Sequence, residues 1–184
     1  MSEESKHIGY HIITKSLVEA KVGDVIVSPF KHSEVIHDAG YLDSFRPNGA
    51  YLRSEALFLS REEDIGAWAY ECLPTGSDSR LSFDLLTLEL EGEIKWYDKN
   101  LYNQYLLEKR INKGACLDEL REKCAKEYWD SGVADDEIRN YKHDNRQLYE
   151  GLFYGKAKVI KRERIDYNFR EQCIISVETV NVET

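Results

Sequence analysis

The segment YHIITKSL (Tyr10–Leu17), followed by VGDVI (Val22–Ile26), decides how the first part of this chain folds. An apolar run ends near His11, polar residues and a Gly-Asp turn follow, and a second apolar run begins. This pattern predicts two strands, His7–Ile13 and Asp24–Val27, joined by a loop. His11 therefore leaves a strand where the chain turns, which is a frequent position for a ligand-binding group.

Further along the chain, apolar runs of strand type alternate with helical patterns. Further strands are predicted at Glu55–Leu59, at Leu81–Leu90, in a hairpin of Gln147–Tyr154 and Ala157–Arg162 turned at Gly155-Lys156, and at an edge in Cys173–Val182. Helices are predicted after a capping box of Ser60 and Glu63, after a cap at Asp98, and over Ala115–Trp129.

This order of elements predicts the α+β class, with a mixed or antiparallel sheet and flanking helices. A chain of 184 residues with 42% hydrophobic residues is long enough for one domain with its own core. We expect residues 1–162 to form this domain, and residues 163–184 to form a C-terminal extension that adds an edge strand.

Composition excludes several classes of function. The net charge of −9 argues against a general nucleic-acid binder, and the basic run Lys156–Arg164 is typical of a solvated sheet edge. The four cysteines form no CxxC pair and no zinc-binding pattern, so no metal site is expected. Because neither a signal peptide nor a long apolar segment is present, we expect no membrane association and a cytoplasmic location.

Three side chains on separate predicted strands are candidates for chemistry in one cleft. They are His11 at the end of the first strand, Phe58 before the capped helix, and Glu150 near the start of a late strand. Taken singly, each also fits a structural role: a hydrogen-bonded histidine, a core aromatic ring and a solvated acid. Their order along the chain favours a shared site.

The same residues belong to a longer pattern. The pattern consists of His11, Thr14, Lys15 and Leu17, then Gly23, Asp24 and Ile26, then Leu57-Phe58-Leu59-Ser60 and Trp68-Ala69. It resembles the ADP-ribosyltransferase fold, most closely the rifampin ADP-ribosyltransferase type and related uncharacterised bacterial domains. The resemblance extends over about residues 7 to 161.

The resemblance implies an NAD-dependent ADP-ribosyltransferase, a transferase of the glycosyltransferase class, that moves ADP-ribose from NAD to an unidentified acceptor. By this likeness His11 binds a ribose hydroxyl, Phe58 stacks on nicotinamide, and Glu150 stabilises the positive charge that develops on the ribose. Ile12 and Thr14 would lie beside NAD. The acceptor is a protein, a small molecule or a nucleic acid.

Two arginines near the predicted cleft, Arg46 and Arg53, are expected to contact the pyrophosphate of NAD or to form structural ion pairs.

The chain departs from the family pattern at two positions. Ile12 stands where many relatives have glycine, and Phe58 stands where many have tyrosine. Glu137 and Asp144 are alternatives to Glu150 as the acid. These departures leave open a second hypothesis, a catalytically inactive binding module of the same fold for a protein or a nucleotide-like ligand.

Overall fold

The computed structural model describes residues 7–14, 17–30, 39–72, 80–111, 118–140 and 147–180. In these ranges the strands are β1 (His7–Ile12), β2 (Val25–Val27), β3 (Leu57–Leu59), β4 (Arg80–Asp98), β5 (Val133–Ala134), β6 (Tyr149–Asn168) and β7 (Cys173–Thr179). The helices are α1 (Ala39–Asp43), α2 (Ile65–Cys72), α3 (Lys99–Ile111), α4 (Asp118–Asp130) and α5 (Asp135–Asn140). Short 3-10 turns occur at Arg53–Glu55 and Glu62–Asp64.

Two long antiparallel strands, β4 and β6, form the centre of a seven-stranded sheet among the described residues. β1 and β5 pair with the outer edge of β4, while β7, β2 and β3 follow one another along the outer edge of β6. Every one of these pairings is antiparallel. Helices flanking an antiparallel sheet are compatible with the predicted α+β class, and the sheet in the described part of the chain is antiparallel.

A pair of glycines allows the backbones of β4 and β6 to approach closely in the middle of the sheet. Gly92 lies opposite Gly155, and both have a φ of 155°. Residues other than glycine rarely adopt this backbone conformation. A Cβ atom at Gly92 would lie 2.4 Å from the carbonyl oxygen of Tyr154, and one at Gly155 would lie 2.3 Å from that of Glu91. Both positions therefore require glycine.

The predicted hairpin turn at Gly155-Lys156 is wrong. Residues 149–168 run through this position as one strand, because Gly155 pairs with Gly92 of β4 instead of reversing the chain. The expected domain end at residue 162 consequently falls within β6. The predicted strand Leu81–Leu90 is also longer than expected, since β4 continues to Asp98.

The predicted capping box at Ser60 is also wrong. The backbone N–H of Ser60 donates to the carbonyl of Tyr10, 2.8 Å away, so Ser60 extends the sheet. The 3-10 turn that follows has Arg61 at its cap position, with no capping hydrogen bond from the side chain. Long-range pairing with β1 thus outweighs the local capping preference.

The Asp98 cap is confirmed, because the Asp98 Oδ1 atom accepts a hydrogen bond of 2.9 Å from the backbone N–H of Asn100. The helices predicted after Ser60 and over Ala115–Trp129 each have buried side chains where they are described. Trp68 and Ala69 of α2 are buried, as are Cys124 and Tyr128 of α4.

Apolar packing holds the helices on the sheet. α3 and α4 pack with α1 and the Tyr97 end of β4, and α2 packs against β1 and the ends of β4 and β6. A third cluster lies along β4 and β6, around Leu86, Leu88 and Val159. Within the described ranges, no helix has the length and hydropathy needed to span a lipid bilayer.

Candidate functional site

Arg53 lies at the centre of the candidate site. It starts the 3-10 turn before β3, and its backbone N–H donates to the Asp43 carboxylate, 3.0 Å away. The Asp43 carboxylate also accepts a hydrogen bond of 3.0 Å from the Ser54 hydroxyl. The end of α1 thus fixes the backbone of this turn and directs the buried Arg53 side chain inward.

Glu150, the predicted catalytic acid, has no exposed surface, and its carboxylate contacts three residues of distant segments. The Arg53 Nε and Nη2 atoms each donate a hydrogen bond of 2.9 Å, one to each carboxylate oxygen. The Tyr128 hydroxyl donates a hydrogen bond of 2.5 Å to Oε1. Lys99 adds a positive charge, with its Nζ atom 3.8 Å from Oε2.

These contacts keep the buried carboxylate ionised. Burial alone would raise the pKa of Glu150, but the charges of Arg53 and Lys99 and the hydrogen bonds from Arg53 and Tyr128 outweigh it and lower this pKa to about 2. Burial and the negative charge of Glu150 raise the pKa of Tyr128 well above its ordinary value. Tyr128 therefore stays a neutral hydrogen-bond donor.

Aromatic rings lie close to both cationic groups of the site. The Arg53 guanidinium carbon lies 4.5 Å from the ring centroid of Phe58 and 3.9 Å from that of Tyr102. The Lys99 ammonium lies 4.2 Å from the centroid of Tyr102 and 5.3 Å from that of Trp68. Cations over ring faces at these distances are attracted by the ring quadrupole.

His11 contacts the same group of residues through the backbone of β3. Its Nδ1 atom lies 2.8 Å from the carbonyl oxygen of Phe58. Because a carbonyl only accepts, Nδ1 carries a proton in this bond, and Nε2 is the acceptor nitrogen of the neutral ring. The side chain is 7% exposed.

The predicted catalytic residues therefore lie in one continuous set of contacts. His11 contacts Phe58, the Phe58 ring covers Arg53, and Arg53 binds Glu150. Arg53 forms the structural ion pair that was the alternative to pyrophosphate binding.

The other predicted binding residues are not part of this set of contacts. Ile12 is buried beside Trp68 in the α2 cluster, and Thr14 is exposed beyond the end of β1. Arg46 is exposed and donates to the carbonyl oxygens of Ala50 and Asp43.

Glu137 and Asp144 are the alternatives to Glu150 as the acid. Glu137 is exposed on α5, while Asp144 lies outside the described residues.

Sequence reasoning missed Lys99 and Tyr128 as partners of Glu150, and Tyr102 as the ring beside Arg53 and Lys99. The sequence places Tyr128 only within the predicted helix Ala115–Trp129, and the structure buries it on α4. The available signal was chemical, since a hydroxyl on a buried helical stripe requires a polar partner.

The part of the chain that the structure describes contains no group of three or more His, Cys, Asp or Glu side chains arranged to hold a metal ion.

Comparison with protein-family models, with curated proteins and with solved structures finds no match to this chain.

Proposed function

We propose that this chain is an ADP-ribosyltransferase-like protein that binds NAD beside His11 and Phe58 and transfers ADP-ribose to an unidentified acceptor in the cytoplasm. The observation that supports the proposal is the set of contacts from His11 through Phe58 and Arg53 to Glu150. These residues come from three strands and a turn. The three residues that the resemblance names are thus linked through Arg53, and this linkage supports the proposal.

The residue types suit the roles in this proposal. The Phe58 carbonyl fixes the orientation of the His11 ring, which in this proposal binds a ribose hydroxyl of NAD. Phe58 is half-buried, and its ring supplies stacking area for nicotinamide. Glu150 is the ionised carboxylate that stabilises the oxocarbenium-like ribose as nicotinamide leaves.

Transfer requires the Glu150 carboxylate to reach the ribose. Both of its oxygens accept hydrogen bonds from Arg53, and Oε1 also accepts one from Tyr128. In the enzymatic form of the proposal, NAD binding opens this pair and the carboxylate turns towards the ligand.

Complete burial of Glu150 favours a second candidate function, a catalytically inactive module of the same fold that binds a nucleotide-like ligand or a protein. In this form the Arg53–Glu150 pair stays closed and anchors β3 to β6. The ligand then contacts only the His11 and Phe58 side of the site, and no bond of NAD is broken.

Calorimetric titration with NAD, run beside an assay for release of labelled nicotinamide, distinguishes the two functions. The enzyme binds NAD and releases nicotinamide, and water takes the ADP-ribose when no other acceptor is present. Glu150→Gln abolishes this release, while Glu137→Gln, at an exposed alternative acid, does not. The inactive module binds NAD or a related nucleotide without release.

Because Glu150→Gln disturbs a buried ion pair and could unfold the protein, a second variant tests the site without changing that pair. Phe58→Leu keeps an apolar side chain in β3 but removes the stacking ring, so NAD affinity should fall by about tenfold. Circular dichroism and urea unfolding establish that each variant is folded. The proposal is abandoned if the folded wild-type protein shows no heat of binding at millimolar NAD.

A further inference from the structure

A cleft opens between α2, the start of α3 and the two ends of β6. It has a volume of about 570 Å³, which is within the usual range of small-ligand sites. The described residues that line it come from the turn before α2, from α2 itself, from the start of α3 and from the segments next to the two ends of β6. None of the residues predicted to bind NAD is among them.

The charge of this cleft is negative. Glu63, Asp64 and Glu71 line it, whereas no Lys, Arg or His occurs among its described lining residues. Asp64 is buried and paired with Arg61, whose Nε atom lies 2.6 Å from the carboxylate and whose Nη1 atom lies 3.3 Å from Glu63. Glu71 accepts a hydrogen bond of 2.9 Å from the Asn103 amide. The described lining thus carries three carboxylates and no cationic side chain, which disfavours phosphate groups and favours a cation.

Aromatic rings form one wall of the cleft. The Phe169 ring centroid lies 4.9 Å from that of Tyr70 and 5.0 Å from that of Tyr167. A Cβ atom at Gly66 would lie 2.4 Å from the Tyr167 ring, so the absence of a side chain there lets this ring lie against α2. Tyr70 remains 55% exposed, which leaves its ring available to a ligand.

Amide side chains complete the lining. Asn100, Gln147 and Gln172 are all exposed at the cleft, and each carries a carbonyl oxygen that accepts hydrogen bonds. Carboxylates and amides together provide many acceptors beside ring faces. A planar cation with several N–H donors satisfies both features, whereas a quaternary ammonium ion has no donor to use.

We propose that this cleft binds a guanidinium group, which stacks on the Tyr70 and Phe169 rings and donates to the carboxylates of Glu63 and Glu71. The ligand is an arginine side chain of a peptide or a small guanidinium compound. None of the residues proposed to bind NAD lines this cleft, so the proposal does not rest on NAD binding.

Titration followed by NMR tests the proposal on the full chain. The side-chain amide signals of Asn100, Gln147 and Gln172 should shift and saturate with acetyl-Gly-Arg-Gly-amide, at a dissociation constant on the order of 1 mM. The peptide with citrulline in place of arginine, which is neutral, and tetramethylammonium should bind at least about tenfold more weakly. Methylguanidinium distinguishes the two sources, since affinity equal to that of the peptide assigns a small compound and weaker affinity assigns a peptide.

Matched variants locate the site. Glu63→Gln with Glu71→Gln should weaken binding of the arginine peptide by about tenfold, and Tyr70→Leu should weaken it several-fold. Glu122→Gln with Glu127→Gln on α4 changes the net charge equally but lies on another helix, so it should leave the affinity unchanged.

Urea unfolding of each variant verifies that it is folded. The proposal is overturned if the citrulline peptide shifts the amide signals as strongly, if no shift saturates, or if both double variants weaken binding alike.

Discussion

Arg53 and Glu150, 97 positions apart in the sequence, form a two-point ion pair in which each hydrogen bond measures 2.9 Å and neither side chain is more than 5% exposed. The pair connects the 3-10 turn before β3 with the start of β6. Tyr128 and Lys99 bring α4 and the start of α3 to the same carboxylate. One buried charge thus joins four segments of the fold.

Removing one member of this pair should destabilise the protein strongly. Arg53→Met leaves the Glu150 carboxylate buried without its principal partner, so the free energy of unfolding should fall by about 3–5 kcal/mol. Urea denaturation measures this change. The double variant Arg53→Met with Glu150→Met removes both charges and should recover more than about 1 kcal/mol of the loss. Equal losses in the single and double variants would contradict a coupled pair.

Acid should weaken the fold through Glu150. Its pKa in the folded protein is about 2, below the ordinary value of 4.5, so its ionised form stabilises the folded state above about pH 4.5. This contribution, roughly 3 kcal/mol, is lost as the pH falls from 4.5 towards 2. Urea midpoints measured across this range should therefore decline. The Arg53→Met, Glu150→Met variant lacks the carboxylate and should lose less stability over the same interval.

The glycine pair at mid-sheet should tolerate no side chain. Gly92→Ala and Gly155→Ala each place a Cβ atom within 2.4 Å of a backbone carbonyl at a φ of 155°, so each should cost at least about 2 kcal/mol of unfolding free energy. Gly40→Ala in α1 is the control, since nothing lies within 4 Å of its Cβ position. Helix propensity predicts that Gly40→Ala is neutral or stabilising by up to about 1 kcal/mol. Thermal melts compare the three variants.

The cap of α3 should depend on the side chain of Asp98. Asp98→Ala removes the acceptor for the Asn100 N–H and should lower the free energy of unfolding by about 1 kcal/mol. Asp98→Asn keeps a capping oxygen and should remain within about 0.5 kcal/mol of the wild type. Chemical denaturation provides both values. A loss of similar size in the two variants would show that the charge, and not the cap, is what matters.

Sequence patterns correctly predicted the strands and helices that depend on neighbouring residues in the chain. The β1 strand follows from its apolar run, the α4 helix from its apolar stripe, and the start of α3 from the Asp98 cap. The α+β class follows from the order of these elements.

Predictions from local pattern were wrong where a distant strand competes for the same backbone. Gly155 reads as a turn, yet its backbone continues β6 because Gly92 faces it from β4. Ser60 reads as a helix cap, yet its N–H bonds to Tyr10. In both cases a pairing between residues far apart in the chain replaces the local preference.

The candidate site shows the same division. The sequence by itself identified His11, Phe58 and Glu150 as an ordered set and determined which elements carry them. Only the tertiary structure decided that Arg53 would bind the carboxylate and that Tyr128 would donate to it. The physical reason is that a buried charge is stable only beside groups that pair with it in three dimensions. The packing of the folded chain determines which groups these are, and their spacing in the sequence does not indicate it.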